Sequence, residues 1–461
     1  MSTLLTFSTP QLQGIHCGKV RDSFRVSADT RLLVASDRLS AFDRVLDSAI
    51  PGKGAILNRL SAYWFKETAH TVSNHLIRVV ADRAMLVREV EPVRVEIIVR
   101  AFITGSAWRA YASGQRILSG VRLPEGLTKN ARLAEPIITP TTKDVHDTQI
   151  TPEALIEAGL ATSATYKQME AAARSLFARG TEILHERGLL LVDTKYEFGL
   201  LDGEVVLIDE LHTPDSFRFW AEEDYIRDPE NVPSWDKEFV RRWLLEQSFS
   251  DDDAIVLPDG IVAETQRRYA DLYERITGES APAIPQDASA RLVQQLVDAG
   301  IMKDACITIV MGSPKDHDHA TTIADYLTPY DVAVRLRVAS AHKTPALVEA
   351  LAQQLSASAE PGVIIAVAGL SNGLGGALAA TSNLPVINCP PFSDRADLAL
   401  NINSSLMMPS STPAMTVIKP QNAALAAIRC LNLPRLRQLT NEQTGAIRAS
   451  LARADAAYQE T

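Results

Sequence analysis

Charged and uncharged positions alternate through residues 193–198, at the end of an apolar run that begins at Leu189, and a second, mostly apolar run spans 204–208. The runs meet near Asp202-Gly203, a pair suited to a tight turn, so they predict a β-hairpin. Successive strand side chains point to opposite faces, which puts Asp193, Lys195 and Glu197 on one face and Val192, Thr194, Tyr196 and Phe198 on the other. Further apolar runs at 31–36 and 93–102 predict strands, and their irregular mixture with helical stretches predicts an α+β domain. Beyond residue 300 the pattern changes. Short apolar runs at 306–311, 332–338, 363–367 and 385–388 alternate with helical stretches, which predicts a doubly wound, Rossmann-like α/β domain with a parallel sheet. Helices are expected at 263–276, 288–299 and 441–459.

A chain of 461 residues exceeds one ordinary core, so a multidomain protein is expected. The small, polar, proline-bearing run beginning at Gly278 separates the two patterns. It divides the chain into residues 1–278, a linker at 279–288 and residues 289–461. A net charge of −10 argues against a broad nucleic-acid surface, and anionic substrates would need local basic pockets. The four cysteines lack metal-ligand spacing and suit a reducing compartment. No signal pattern or 20-residue apolar span is present, so a cytoplasmic protein away from membranes is expected.

Carboxylates around a lysine are what Mg²⁺ and a polyphosphate require, and Asp193, Lys195 and Glu197 offer them on one strand face, with Asp209-Glu210 at the hairpin's other end. The same alternation would also suit a solvated face of a half-buried sheet. Gly18-Lys19-Val20-Arg21-Asp22 offers a loop with two cations that could cover phosphates. Ser36-Asp37-Arg38-Leu39-Ser40-Ala41-Phe42-Asp43 is dense in hydrogen-bonding groups, and Ser36 or Asp37 could alternatively cap a helix start. Glu96, Arg100, Thr104 and Ser106 interrupt a strongly apolar stretch, where unpaired charges are costly.

These segments resemble the SAICAR synthetases of purine biosynthesis. The likeness rests on Val95-Glu96-Ile97-Ile98-Val99-Arg100 with Thr104-Gly105-Ser106, and on Asp193-Thr194-Lys195-Tyr196-Glu197-Phe198-Gly199. It extends to residues 18–22, 36–43, 50–54 and 213–220. The resemblance implies that ATP phosphorylates the carboxylate of the imidazole nucleotide CAIR, and that the amine of L-aspartate then displaces phosphate to give SAICAR. It implies catalysis at Lys195, ATP contacts at Lys19, Arg21 and Glu96, and Mg²⁺ at Glu197 and Asp209. Arg100 and Ser106 would bind the nucleotide, and Asp37, Arg38 and Ser40 would line the CAIR and aspartate pocket. Arg218, Lys237 and Arg241 would clamp phosphate or carboxylate. The loop from Thr139 to Lys143, with His146-Asp147, also resembles a substrate loop.

In the second half, three loops follow successive apolar strands: Gly312-Ser313-Pro314-Lys315-Asp316, Ser340-Ala341-His342-Lys343-Thr344-Pro345, and Ser371-Asn372-Gly373-Leu374-Gly375-Gly376. Ligands bind at such carboxyl ends in open α/β sheets. Thr344 and Pro345 suit N-cap and first-turn positions, placing His342 beside a helix N-terminus whose dipole favours anions and a lowered histidine pKa. Each loop taken alone would serve as an ordinary turn.

Together they resemble the AIR carboxylases, and Ala366 to Gly375 with Leu384 to Pro391 resembles the branch that uses CO₂ directly. The resemblance implies that C4 of AIR attacks CO₂ to give CAIR, with His342 exchanging the C4 proton near Asp316 and no biotin involved. Ser313, Ser340, Lys343, Ser371, Asn372 and Gly373 would bind substrate. Lys315 stands where the family usually has serine, and Met407 where it often has arginine. The two implied reactions are consecutive, which favours one bifunctional chain acting on AIR, CO₂, CAIR, L-aspartate and ATP. Its carboxylase family implies a homo-oligomer, often an octamer, built through the C-terminal domain. The alternatives are a SAICAR synthetase carrying a non-catalytic C-terminal module and, more distantly, a kinase fused to a nucleotide-binding domain.

Overall fold

The computed structural model describes residues 3–42, 44–143, 148–235, 237–247 and 254–459. The chain forms two compact units: Met1–Thr6 with Gly14–Gln295, and Phe7–Gln13 with Leu296–Thr461.

In the first unit, strands β1 (Gln13–Cys17), β2 (Arg21–Arg25) and β3 (Thr30–Ala35) lead into the hairpin β4 (Arg38–Ala41) and β5 (Arg44–Ala49), then helix α1 (Lys53–Glu67). Ser36 and Asp37 therefore precede a strand. The alternative helix cap is corrected: Asp37 is turned inward and spent on other backbone N–H groups. Strands β6 (Leu76–Ala81) and β7 (Ala84–Arg88) complete a sheet of order β1-β2-β3-β7-β6. Next come β8 (Glu91–Phe102), α2 (Gly105–Ala112), the short pair β9 (Ile117–Leu118) and β10 (Val121–Arg122), and β11 (Arg132–Thr142). Helices α3 (Pro152–Glu157) and α4 (Ser163–His185) precede the predicted hairpin, β12 (Leu189–Leu201) and β13 (Glu204–Ile208), and β14 (Phe217–Ala221). Asp202 and Gly203 both take positive φ, as such a turn demands. Strand β14 pairs with β12, completing a second sheet of order β11-β8-β12-β13. Helices α5 (Glu222–Arg227), α6 (Glu238–Glu246) and α7 (Asp259–Thr277) follow, and α8 (Ala288–Asp298) runs across the boundary between the units.

One face of the second sheet packs into the main apolar core, and the other is polar. Val95, Ile97 and Val99 of β8, with Val192, Tyr196 and Phe198 of β12, join Met169, Ala173, Leu176 and Phe177 of α4 in the main core. The intervening residues 96, 98 and 100, with 193, 195 and 197, line a cleft. Core packing thereby fixes the outward face, because a one-residue slip would exchange the two sets. Gly180 of α4 lets His212 approach closely, since an added Cβ would lie 2.4 Å from its ring carbon Cε1.

The second unit has the predicted parallel sheet. Its strands are β15 (Cys306–Met311), β16 (Ala333–Val338), β17 (Gly362–Val367), β18 (Val386–Asn388) and β19 (Ala414–Thr416), in the order β16-β15-β17-β18-β19. Helices α9 (His317–Leu327), α10 (Pro345–Ser356) and α11 (Gly373–Thr381) provide the crossovers, and α12 (Arg395–Asn401) and α13 (Asn403–Leu406) precede β19. Helix α14 (Pro420–Leu431) is followed by α15 (Pro434–Gln459), longer than the tail helix expected. The segment Phe7–Gln13 belongs here by its bonding: Thr9 Oγ1 donates to Glu360 at 2.7 Å, and Gln11 exchanges side-chain and main-chain bonds with Lys303.

Burial holds His75 and His212 of the first unit neutral, pulling each pKa down to about 3. Unfolded histidines titrate near 6.5, so between these values the unfolded chain binds more protons and folding stability is lost as pH falls. All five tryptophans lie in this unit. The unfolding free energy read by tryptophan fluorescence should fall from pH 6.5 to 5, its slope approaching about 2.7 kcal/mol per pH unit for two histidines. A flat profile would show that they are not both neutral in the folded state.

Candidate active sites

The charged face of the second sheet is set by strand register. Antiparallel pairing places Asp193 opposite Arg100 and Glu197 opposite Glu96. Two carboxylates so placed repel unless a cation intervenes. Lys195 supplies it, donating to Glu96 and lying 3.4 Å from Glu197, while Lys143 pairs with the other Glu197 oxygen. Burial opposes the Lys195 charge, but Glu197 and Glu96 outweigh it and raise its pKa. On the other side of β12, Arg218 of β14 also pairs with Asp193. Asp193 thus spans two guanidiniums, with Arg100 at 3.3 Å. Burial lowers the Arg100 pKa, and its Nε donates to Thr139 at 3.0 Å.

This face looks into a cleft of ≈ 860 Å³. Lys19, Arg21 and Ser40 line it from the N-terminal strands and loops, and Ser106, Arg218, Lys237 and Arg241 line it elsewhere. Arg21 pairs with Glu210 and, at 3.2 Å, with Asp209. Burial works against its charge, yet both acids raise its pKa. Leu33, Val87, Val90, Pro92, Ile98 and Ile208 add the apolar surface that a planar ring needs. Among the described residues, no three or more His, Cys, Asp or Glu side chains gather as a ready metal cage.

Asp37 and Arg38, expected in the pocket lining, are instead buried as supports. Asp37 accepts from the N–H groups of Leu4 (2.8 Å) and Gly54 (2.9 Å) and pairs with Arg83 at 3.2 Å. Arg38 donates to the carbonyls of Gly18 (2.9 Å) and Lys19 (3.2 Å) and to Asp22 (2.7 Å), pinning the 18–22 loop. Their dense hydrogen-bonding capacity is satisfied internally. Lys53 similarly meets Asp215 at 2.6 Å, and Tyr269 donates to the same carboxylate at 2.8 Å, so the turn before Arg218 is tied to α1 and α7. Asp43, His146 and Asp147 lie outside the described residues. The sequence pattern places Asp193 on the charged face but gives it no role of its own, and it gives Lys143 and Glu210 no definite part.

In the second unit the predicted loops do lie at strand carboxyl ends. The neighbours of β15 are β16 and β17, so the chain reverses its winding there, where open α/β sheets form a crevice. The His342 ring lies close to Gly373, whose added Cβ would be 3.3 Å from Nε2. Ser313 and Asp316 form a reciprocal capping box, with the Ser313 N–H donating to Asp316 at 3.0 Å. Burial raises the Asp316 pKa. Thr344 precedes α10 as foreseen, but its hydroxyl accepts from the Ser340 N–H at 3.0 Å rather than capping the helix. The Lys343 N–H donates to Ser340 Oγ at 3.3 Å.

Asn372 is buried and donates to Ser405 at 2.9 Å, while Ser371 is exposed. The departures from the family pattern are both exposed: Lys315 is on the capping-box turn, and Met407 directly follows α13. Gly375 admits Asn388, since its added Cβ would lie 1.6 Å from Asn388 Oδ1.

Asp193→Asn should remove the carboxylate that bridges Arg100 and Arg218, leaving Arg218 only Glu238 at 3.7 Å, and lower stability by about 3–5 kcal/mol. Tryptophan-monitored denaturation measures it, and a loss below 1 kcal/mol would mean that other groups neutralise both cations. Gly375→Ala should destabilise the second unit by about 1–3 kcal/mol or more, because fully buried Asn388 must move. Far-ultraviolet circular dichroism melts test this, and an unchanged transition would refute the clash.

Comparison with known proteins gives two matches along the chain. The SAICAR synthetase family model covers residues 14–259, and the AIR carboxylase model covers residues 306–448. A phosphoribosylaminoimidazole-succinocarboxamide synthase of Azobacteroides pseudotrichonymphae is 41% identical over 306 residues, spanning 64% of this chain and 94% of that protein. Its counterpart in Cytophaga hutchinsonii is 44% identical over 282 residues, spanning 59% and 91%. The structure of SAICAR synthase from Saccharomyces cerevisiae complexed with SAICAR matches with a TM-score of 0.54 at 34% identity, covering 60% of this chain and 99% of that one. The chain therefore belongs to the SAICAR synthetase family, and an AIR carboxylase domain follows in the same polypeptide.

Proposed function

We propose that this chain performs two consecutive steps of purine synthesis: residues 289–461 carboxylate AIR to CAIR with CO₂, and residues 1–278 join CAIR to L-aspartate with ATP, giving SAICAR, ADP and phosphate. The observation that carries the reading is the β8–β12 charged face inside a cleft, in a chain whose other half matches the enzyme family that makes CAIR. That second match speaks against a merely structural C-terminal module.

In the ligase half, a carboxylate must first become an acyl phosphate, because oxide is a poor leaving group. Lys19 and Arg21 offset phosphate charge, and Lys195 stabilises the transferring phosphoryl group from between Glu96 and Glu197. Arg100 and Ser106 hold the nucleotide, with Ser40 alongside, while Arg218 and Arg241 take substrate carboxylate or phosphate. Arg38 positions the 18–22 loop, and Asp37 holds the start of α1. Glu197 and Asp209 fit a Mg²⁺ carried in with ATP, because that ion commonly takes one or two protein carboxylates plus phosphate oxygens and would neutralise phosphate charge here.

In the carboxylase half, C4 of the AIR imidazole attacks CO₂, and His342 takes the C4 proton that leaves. Asp316 lies on the β15 loop at the same end of the sheet. Main-chain N–H groups at Ser371, Asn372 and Gly373 receive the new carboxylate, while Ser313, Ser340 and Lys343 bind the nucleotide. Exposed apolar residues on this unit, Leu336 and Val338 of edge strand β16 and Leu347, Leu370, Ile447 and Leu451, support a homo-oligomer formed through it, with an octamer as the family's common form. No helix among the described residues is long and apolar enough to cross a membrane.

The test separates the two half-reactions. With AIR and CO₂ but without ATP or aspartate, the native chain should form CAIR, and His342→Asn should lower that rate on the order of 10²–10⁴-fold. With supplied CAIR, ATP and aspartate, His342→Asn should still form SAICAR and Lys195→Met should not. Failure of the native chain to carboxylate AIR would leave only the ligase, and failure to make SAICAR from CAIR would refute the ligase assignment.

A further inference from the structure

Amide formation in the ligase half needs an aspartate amine stripped of its proton. An ammonium has no lone pair to attack an acyl phosphate, so the cleft must hold a proton acceptor. Most candidate groups in the cleft are committed elsewhere. Glu96 and Glu197 bracket Lys195, Asp193 bridges two arginines, and Asp209 and Glu210 meet Arg21.

Lys237, at the N-terminal end of α6, lines the cleft and differs from the other lysines there. Among the described residues its side chain makes no ion pair or hydrogen bond. Its acidic neighbours are Asp215, from the turn before β14, and Glu210, after β13. Asp215 already takes Lys53 and Tyr269, and Glu210 takes Arg21 and Thr213. Glu238, next along α6, is shared by Arg218 (3.7 Å) and Arg241 (3.5 Å). Arg241 from the same helix and Lys195 from β12 add like charge. A buried lysine whose acidic neighbours already hold other cations, and which has two further cations beside it, is disposed to lose its proton.

We propose that Lys237 is the proton acceptor for the incoming amine of L-aspartate, an inference that rests on the ligase reading above. Neutral Lys237 Nζ takes one proton from the aspartate ammonium and becomes an ammonium itself. The freed nitrogen lone pair attacks the acyl carbon, forming the C–N bond. The C–O bond to phosphate then breaks with its electron pair, and phosphate departs carrying the second amine proton. Loss of the Lys237 proton to solvent resets the site. Burial, with Arg241 and Lys195, pulls the lysine pKa down to about 8 even though Asp215 and Glu210 oppose the shift. The neutral form is therefore present near physiological pH and increases as pH rises through that value.

Hydroxylamine distinguishes proton removal from charge clamping, because it is already unprotonated at neutral pH and attacks acyl phosphates directly. The full chain is supplied with CAIR and ATP, and with either aspartate or hydroxylamine. For Lys237→Met and Lys237→Arg, the ratio of SAICAR to hydroxamate formation should fall on the order of 10²–10⁴-fold relative to the native chain. If both products fall together, or if arginine restores SAICAR formation, Lys237 acts as a fixed charge and the proposal is overturned. An unchanged ratio in a folded variant overturns it equally. A native chain that forms neither product would instead sink the ligase reading on which the proposal rests.

Discussion

The ligase half is organised around one electrostatic conflict. Strand register sets Glu96 directly opposite Glu197, and neither can turn away, because their neighbours Ile97, Tyr196 and Phe198 are locked in the core behind them. Lys195 resolves the conflict from the same face, two residues from Glu197 along its own strand. The outcome is a dense set of interlocked charges, with cations in excess, most of them held on hydrogen-bonded β-structure. Such preorganisation matters for phosphoryl chemistry, where charge accumulates and mobile groups would need reorganising at each turnover.

A second layer keeps this field in place. Asp37, Arg38, Lys53 and Asp215 are nearly inaccessible to solvent, and their bonds run to the 18–22 loop, the start of α1 and the turn before Arg218. Buried ion pairs contribute little net stability, but removing one partner is costly. Their effect is therefore to specify one loop arrangement over others. The dense polar motifs are best understood as two groups of residues, one facing the cleft and one supporting it.

The two halves reach anion-binding geometry by different physical routes. Antiparallel strands in the first unit project alternate side chains into a cleft, so charge comes from long side chains on a rigid sheet. Parallel strands in the second unit release successive loops at one sheet end, where backbone N–H groups and short polar residues predominate. Glycine accordingly has a steric task here: Gly373 admits the His342 ring, and Gly375 admits Asn388.

Periodicity by itself determined the hairpin at Asp202-Gly203, the alternation of Asp193, Lys195 and Glu197, and the parallel strands of the second unit, because these depend on local geometry and on which face is apolar. Motif resemblance added the families and most of the charged residues that line the cleft. Tertiary structure decided what required distant partners. Asp37 and Arg38 read like pocket residues until Gly54, Arg83, Gly18 and Asp22 claimed their hydrogen-bonding capacity. Asp193 gained its place only when β8 and β14 flanked β12, bringing Arg100 and Arg218 to the same carboxylate. The segment Phe7–Gln13 joined the second unit through Lys303 and Glu360, some 300 residues away, a pairing to which no local pattern points. Local preferences set which way a side chain points, but its partner is set by how strands and loops far apart in sequence pack.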